Sequence, residues 1–183
     1  MSASIQTITL GGGCFWCTEA VFERVDGVTA VESGYSNGHV KNPSYEQVCG
    51  GDTGHNEVIR VSFDSAKISL CEVLEIFFVI HDPTTLNRQG NDAGTQYRSG
   101  IYFRDAEQER VAREVLAEVD AKVNAHAGIR AVTEVLPEAN YSRAEDYHQH
   151  YFVNHPNQGY CAMVVAPKVD KFRKTFASRF RAG

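Results

Sequence analysis

The chain has 183 residues, of which 43% are hydrophobic and 22% are charged, a composition typical of a folded globular protein. This length suits one domain with a full hydrophobic core, and we expect residues 1–183 to form a single domain. The 18 basic and 23 acidic side chains give a net charge of −5, which argues against a nucleic-acid-binding protein, because such proteins need a clustered basic face. Five cysteines are too few, and odd in number, for a disulfide-stapled scaffold.

The hydrophobic segments are too short for a membrane protein. The most apolar run, residues 70–80, contains Glu72 and Glu75 and is far shorter than a bilayer-spanning helix. The first residues have neither the basic nor the apolar region that a secretion signal needs. We therefore expect a cytoplasmic protein, in which a Cys-x-x-Cys pair is more often redox-active or metal-binding than structural.

The first predicted elements surround a cysteine. Residues 5–10 alternate and are rich in β-branched side chains, which predicts a strand, and three glycines follow it. Ala20, Val21 and Phe22 continue an apolar pattern typical of a helix, so Cys14 is predicted to lie near a helix N-terminus. The positive end of the helix dipole favours a thiolate at that position. Sulfur chemistry is therefore the first functional hypothesis.

The rest of the chain alternates between short strands and helices. In chain order we predict strands over residues 28–35, 57–63, 100–103, 131–136 and 160–166, and helices over residues 45–49, 70–80, 106–123, 144–153 and 169–181. Residues 81–99 show no periodicity, and a loop of this length more often carries functional residues than serves only as a connection. Irregular connections favour an α+β fold over an α/β fold. We expect a two-layer sandwich of a mixed sheet and helices, with a C-terminal helical extension.

Cys14 and Cys17 match the arrangement of a thioredoxin-like dithiol. Such a motif follows a strand and opens a helix, and residues three apart on a helix have Cα atoms about 5 Å apart, within disulfide range. Phe15 and Trp16 separate the two cysteines, and rings beside a sulfur nucleophile suit a small apolar group on a substrate better than general dithiol exchange. A general thiol–disulfide oxidoreductase is therefore the alternative function.

The other candidate sites have structural interpretations. Cys49 and Cys71 fall in predicted helices and are expected to be small core residues. A structural zinc site is not favoured, because the chain has one Cys-x-x-Cys pair and no second cysteine or histidine pair at ligand spacing. The basic residues near the C-terminus are expected to form the solvated face of the last helix. We predict neither a metal nor a cofactor.

Several motifs spread along the chain occur together. They are Gly13-Cys14-Phe15-Trp16, Gly34-Tyr35, Pro43-Ser44-Tyr45-Glu46-Gln47-Val48, Gly54-His55-Asn56-Glu57, residues 89–99, Tyr147-His148-Gln149 and Gly159-Tyr160-Cys161. This combination resembles the peptide methionine sulfoxide reductase family, class A, from about residue 7 to about residue 165. The resemblance is specific because it depends on all of these segments and not on one generic glycine motif.

The resemblance implies an enzyme that reduces methionine S-sulfoxide, free or in proteins, to methionine. Cys14 matches the nucleophile that attacks the sulfoxide sulfur. The sulfoxide oxygen is a poor leaving group unless it is protonated, and Glu57 matches the family's proton donor. A carboxyl group in an apolar pocket can stay protonated near neutral pH, which makes this role chemically reasonable.

The resemblance also implies which residues surround the substrate. Tyr45 and Tyr97 match tyrosines that hydrogen-bond the sulfoxide oxygen, and phenols suit this role because they donate while neutral. Phe15 and Trp16 would hold the S-methyl group. Asp92 matches a residue that receives the substrate backbone or helps to order the pocket.

The oxidised enzyme needs a second thiol. The first product on the enzyme is a Cys14 sulfenic acid, which condenses with another thiol to a disulfide. Cys161 matches one version of the family's resolving position and is favoured, whereas Cys17, one helical turn from Cys14, is the competing candidate. Thioredoxin is the reductant that the family implies, and we expect a monomer. A module that binds oxidised methionine without reducing it is a third functional class.

Overall fold

The computed structural model describes residues 4–181. Over these residues the strands are β1 Ile5–Gly12, β2 Val28–Ser36, β3 Asn56–Asp64, β4 Arg88–Gln89, β5 Asp92–Ala93, β6 Ser99–Phe103, β7 Glu134–Pro137 and β8 Ser142–Arg143. The helices are α1 Phe15–Phe22, α2 Tyr45–Cys49, α3 Leu70–Ile80, α4 Ala106–Ala127, α5 Tyr151–Asn154 and α6 Ala166–Thr175. None of the described helices is long and apolar enough to cross a bilayer.

Six of the strands form one sheet, in the order β7-β6-β1-β3-β2-β8, and β4 pairs with β5 in a separate hairpin. β6 and β7 run parallel, whereas the other neighbouring strands of the sheet pair antiparallel. The sheet is therefore mixed, as predicted. β1 and β3 are the two central strands of this sheet, so the glycines at the end of β1, and the start of α1 that follows them, lie at the end of a central strand.

One face of the sheet is apolar because its central strands alternate. Ile59, Val61 and Phe63 on β3 are fully buried, whereas Arg60 and Ser62 between them are partly exposed. Successive side chains of a strand point to opposite faces, so the three buried residues share the face that the helices cover. The same face carries Ile8 and Leu10 of β1, which pair with Val61 and Ile59, and together these side chains form the core.

The helices form the second layer. α3 packs against α4 and α6, and α6 packs against α1. α3 begins after Ser69 with a capping box: the Ser69 hydroxyl accepts a 3.1 Å hydrogen bond from the Glu72 N–H, and the Glu72 carboxylate accepts a 2.9 Å bond from the Ser69 N–H. α4 ends at Gly128, which has a φ of 68°. The predicted two-layer α+β architecture with a mixed sheet is confirmed.

The predicted strand over residues 160–166 is wrong. Cys161–Val165 forms a π-helical turn that continues into α6. The buried residues of this segment recur at helical spacing, at Cys161, Val165 and Phe172, and Pro167 lies in the first turn of α6, where a missing N–H is tolerated. A short run of apolar residues has the same composition in a strand and in a helix, and the longer spacing decides between them.

The predicted helix over residues 144–153 is also wrong over most of its length. Asp146–His148 forms a 3₁₀ turn, and α5 occupies only the last part of the segment. The side-chain amide of Gln149 bonds both to the N–H and to the carbonyl of Ser33 on β2, which ties this segment to the sheet. His150 then has a φ of 56°, which interrupts any helix.

Cys49 and Cys71 are exposed, so the prediction that they are core residues is wrong. Cys71 lies on the outer face of α3, where its thiol contacts Glu75 at 3.6 Å. The opposite face of the same helix supplies the buried side chains, among them Leu74 and Phe77. Each helix is covered on one side only, and both cysteines fall on the other side.

Candidate active site

Cys14 stands at the junction of β1 and α1. Gly13 before it has a φ of 93°, and a Cβ atom there would lie 2.7 Å from the Gln89 side chain, so the turn requires glycine. Cys14 is the N-cap residue of α1, and its carbonyl accepts a 3.1 Å hydrogen bond from the Cys17 N–H. The residue is 9% exposed. The thiol therefore lies at a helix start, as the sequence predicts, but in a nearly closed environment.

The pKa values of the two thiols at the start of α1 are shifted in opposite directions. Burial, together with the hydrogen bond to Cys17 and the nearby Glu57 carboxyl, raises the pKa of Cys14 well above its ordinary value. The hydrogen bond from Cys14, assisted by the Lys168 ammonium, lowers the pKa of Cys17 to about 7 against the effect of burial. The two neighbouring thiols are therefore shifted in opposite directions, with the proton held more tightly on Cys14 than on Cys17. Burial at Cys14 opposes the thiolate that the start of the helix favours.

Glu57 is the buried acid of the site. Glu57 lies two residues before Ile59 on β3, so its side chain points to the same face of the sheet, the face that the helices cover. It is 1% exposed. Its Oε1 accepts a 3.2 Å hydrogen bond from the Phe15 N–H, while its Oε2 is buried without a partner among the described residues. Burial raises the pKa of Glu57 to about 8, and the negative charge of Asp92 acts in the same direction. The carboxyl is therefore mainly protonated at neutral pH.

Two tyrosines approach Glu57 from different elements. Tyr45 is the first residue of α2, and Tyr97 ends a 3₁₀ turn in the long loop before β6. Burial raises the pKa of both phenols above the ordinary range, and the charge of Glu57 adds to the effect on each. The charge of Cys14 also acts on Tyr97. Both phenols thus stay neutral and keep a proton to donate close to the thiol and the carboxyl.

Five aromatic side chains pack together beside Cys14 and form what we call the aromatic wall: Phe15, Trp16, His148, Tyr151 and Tyr160. Trp16 donates a 3.0 Å hydrogen bond from Nε1 to Nδ1 of His148, and its ring stacks on Tyr151 with the centroids 3.8 Å apart and the planes 6° apart. Tyr160 meets the indole edge-on, with a centroid distance of 5.9 Å. Phe15 is buried and contacts the His148 ring, the centroids lying 5.0 Å apart. The indole is therefore fixed on three sides.

Asp92 orders one of these aromatic residues. It lies on β5 and is half-buried, and its Oδ2 accepts a 2.5 Å hydrogen bond from the Tyr160 hydroxyl. The same hydroxyl lies 3.8 Å from Sγ of Cys17. Asp92 thus anchors Tyr160 between the indole of Trp16 and the second thiol. This contact fits the ordering role that the resemblance implies.

Cys161 packs in the same buried cluster as Cys14 and Cys17. It is fully buried in one cluster with Cys14, Cys17, Ala20 and Val165. The π-helical turn that carries it packs against α1. Burial raises the pKa of Cys161, and charge on Cys17 raises it further. Both candidate partners of Cys14 are therefore within the same buried cluster.

The chain is similar to known proteins over almost its whole length. A family model described as peptide methionine sulfoxide reductase matches residues 6–180. The peptide methionine sulfoxide reductase MsrA of Saccharolobus solfataricus is 52% identical over 177 residues, which cover 97% of this chain and 98% of the relative. The chain belongs to the peptide methionine sulfoxide reductase family.

Solved structures of such reductases have the same fold. Methionine sulfoxide reductase A of Corynebacterium diphtheriae superposes with a TM-score of 0.81 at 36% identity, covering 84% of this chain and 76% of that one. Mxr1 from Saccharomyces cerevisiae in complex with Trx2 superposes with a TM-score of 0.52 at 24% identity, covering 82% and 89% of the two chains.

In this member of the reductase family, the residues predicted from the sequence come together around the start of α1. They are Cys14, Phe15, Trp16, Cys17, Tyr45, Glu57, Asp92, Tyr97 and Cys161. Three further residues that fix the aromatic wall, His148, Tyr151 and Tyr160, received no role from the sequence. His148 and Tyr160 lie in motifs that carry the resemblance, which was the available signal. Tyr151 offered no signal of its own.

Among the described residues, one group of three side chains could hold a metal ion. Ligand atoms of Glu19, Glu23 and His150 lie within 4.8 Å of one another. The Glu19 carboxylate already accepts hydrogen bonds from the Ser33 hydroxyl and the Tyr151 N–H. The group shares no residue with the cysteine site.

Proposed function

We propose that this chain reduces methionine S-sulfoxide, free or in proteins, to methionine by thiol chemistry at Cys14. The observation that carries the proposal is the buried Glu57 carboxyl, which accepts a hydrogen bond from the Phe15 N–H and whose Oε2 has no partner among residues 4–181; burial raises its pKa to about 8, so that it is mainly protonated at neutral pH. Such a carboxyl has a proton to give to an oxygen that must leave. Membership of the peptide methionine sulfoxide reductase family supports the same reaction.

The aromatic wall and the two phenols supply the binding contacts. The S-methyl group would lie against Phe15 and Trp16, because sulfur beside an aromatic ring is a favourable contact. The sulfoxide oxygen would accept hydrogen bonds from Tyr45 and Tyr97, whose raised pKa values keep them as donors. Together these contacts orient the sulfur towards Cys14.

The chemical step moves two protons and one oxygen atom. Cys14 transfers its proton along the hydrogen bond to the Cys17 thiolate and attacks the sulfoxide sulfur as a thiolate. Glu57 donates its proton to the sulfoxide oxygen as the sulfur–oxygen bond breaks. The substrate sulfur is then bonded to Cys14, the protonated oxygen is released as hydroxide, and Glu57 is left as a carboxylate. The hydroxide adds to the Cys14 sulfur, and the bond between the two sulfurs breaks with its electron pair left on the substrate sulfur, which gives methionine and a Cys14 sulfenic acid. General acid assistance of this kind typically contributes about 10²–10⁴-fold to the rate.

The sulfenic acid is then converted to a disulfide that an external dithiol reduces. We propose that Cys161 is the thiol that holds the final disulfide, and that thioredoxin is the reductant. The structure of the yeast relative with Trx2 supports a thioredoxin as the type of partner. All of the proposed site residues come from one chain, so a monomer is sufficient. The five unpaired cysteines suit a reducing, cytoplasmic compartment.

One assay separates the proposal from its alternatives. The chain is incubated with methionine S-sulfoxide and dithiothreitol, and methionine is quantified, with methionine R-sulfoxide and a small disulfide as parallel substrates. The proposed reductase forms methionine from the S epimer. A general thiol–disulfide oxidoreductase would reduce the disulfide and leave the sulfoxide unchanged. A binding module would retain the sulfoxide without forming methionine, and either result would overturn the proposal.

A further inference from the structure

An open cleft borders the active site on the side of Asp92 and Tyr160. Its volume is about 750 Å³, within the range of roughly 300–1,000 Å³ that holds a complete small-molecule ligand. Its three walls are residues 78–83 at the end of α3, residues 89–92 of the β4–β5 hairpin, and the helical segment that runs from Tyr160 into α6. Asp92 and Tyr160 belong both to this cleft and to the active site, so the two spaces adjoin.

The helical wall presents two lysines to the cleft. The residues of this wall that line it are Tyr160, Val164, Lys168 and Lys171. Their spacing of four, four and three residues is that of one helix face. Lys168 is half-buried and Lys171 is exposed. Arg173 of the same helix pairs with Asp170 at 3.0 Å, whereas neither lysine forms a salt bridge within residues 4–181.

The acidic residues that line the cleft are engaged by other groups. Asp92 accepts a 2.5 Å hydrogen bond from the Tyr160 hydroxyl at Oδ2. Asp82 accepts hydrogen bonds from the N–H and the hydroxyl of Thr84, at 2.9 and 2.5 Å. The helical wall therefore offers positive charge that the described residues do not pair, on a chain whose net charge is −5. Charge complementarity favours an acidic occupant of the cleft.

We propose that the cleft holds the stretch of an oxidised protein that adjoins its methionine S-sulfoxide, and that Lys168 and Lys171 bind an acidic side chain of that stretch. The inference rests on the proposed function and names the class of protein substrates that the same site takes. A free methionine sulfoxide ends at the site, whereas a polypeptide must leave it, and the cleft provides a path that starts at Asp92. Phe78 and Ile80 supply an apolar surface along this path.

The length of the helical wall sets the position of the acidic residue. Lys168 and Lys171 follow Tyr160 by eight and eleven residues, which corresponds to about 12 and 16 Å along a helix that rises about 1.5 Å per residue. An extended polypeptide covers about 3.3 Å per residue, so it spans these distances in about four or five residues. The acidic residue is therefore expected about four or five positions from the methionine S-sulfoxide.

The test compares peptides that differ in one charge. Each peptide is blocked at both ends and carries one methionine S-sulfoxide, with glutamate, glutamine or lysine at the expected distance before it in one set and after it in the other. The kcat/KM for methionine formation is measured with dithiothreitol as reductant at low and at high salt. In one of the sets the glutamate peptide should exceed the glutamine peptide by about 2- to 5-fold, the range of an exposed ion pair, and high salt should remove this advantage.

A reversal of charge on α6 tests whether the helical wall causes the preference. In Lys171→Glu the order should invert, with the lysine peptide ahead of the glutamate peptide. Lys67→Glu changes the net charge equally at an exposed position after β3, beyond the end of that strand opposite to Glu57, and should keep the wild-type order. A wild-type order in Lys171→Glu, or the same inversion in Lys67→Glu, would overturn the inference.

The remaining outcomes separate this inference from the proposed function. Methionine formed from every peptide at rates that do not depend on charge would overturn the inference and leave the reductase activity standing. If Lys171→Glu slowed turnover supported by thioredoxin and left the order of the peptides in dithiothreitol unchanged, the cleft would serve the reductant, and the inference would again fail. No methionine from any peptide would instead contradict the proposed function.

Discussion

Replacing the buried acid Glu57 by glutamine should stabilise the protein, and the gain should depend on pH. The pKa of Glu57 is raised from 4.5 to about 8 by burial. At neutral pH the carboxyl is therefore ionised in the unfolded chain and protonated in the folded one. A carboxyl with a raised folded-state pKa favours folding less as pH rises from its unfolded pKa towards its folded pKa. Glutamine has a similar shape and no such titration.

The size of the stability difference between wild type and Glu57→Gln follows from the pH interval between the unfolded and folded pKa values of Glu57. Each pH unit between the two pKa values is worth about 1.4 kcal/mol, so wild type should lose roughly 2 to 3 kcal/mol relative to Glu57→Gln between about pH 5 and about pH 7. Glu19, whose pKa burial raises to about 7, is present in both proteins, so its contribution cancels in the difference.

Urea denaturation of wild type and Glu57→Gln at several pH values measures this difference directly. The free energies of unfolding should converge near pH 4 to 5 and diverge above it, with the variant more stable. The same variant should form methionine far more slowly, because it lacks the proton donor. Curves that stay parallel across this range would show that Glu57 is not a protonated buried acid, and the reasoning would fail.

Three further predictions concern activity and the turn before the nucleophile. The kcat/KM for methionine formation should rise with pH as Cys17 ionises near pH 7 and fall as Glu57 loses its proton near pH 8, and a flat pH profile would contradict these roles. Trp16→Ala should lower kcat/KM roughly 10- to 100-fold, because an apolar contact of about 1.5–3 kcal/mol with the S-methyl group is lost, and steady-state kinetics should show it mainly in KM. Gly13→Ala should destabilise the fold by about 1–3 kcal/mol in a urea titration, because its φ is 93°, whereas Gly159→Ala, where nothing lies within 4 Å, should not.

The parts of the sheet and of the site that lie on strands with a clear alternation of apolar and polar residues could be predicted from the sequence. The alternation along β3 predicts which residues face the core, and Glu57 has the parity of Ile59 and Val61. By itself a glutamate at the start of an alternating strand reads as a surface residue, and the resemblance to the reductase family reverses that reading. Burial at this position depends on the α1 start packing over it, which is a long-range contact without a local signal.

Other features had no local signal. Asp92 and Tyr97 lie in a long aperiodic loop, so their approach to Cys14 followed only from the resemblance. The helical state of Cys161 was missed because a short apolar run fits a strand or a helix equally well. The pKa of Cys14 depends on how deeply α1 is buried, and sequence position at a helix start predicts the dipole effect without the larger effect of desolvation.

The most direct test of the account counts methionine released in a single turnover. Reduced wild type and Cys14→Ser are each mixed with excess methionine S-sulfoxide without any reductant, and free methionine is quantified after quenching. The account predicts at least one methionine per wild-type chain and none from Cys14→Ser. Methionine formed by Cys14→Ser, or none formed by reduced wild type, would contradict the central role of this thiol.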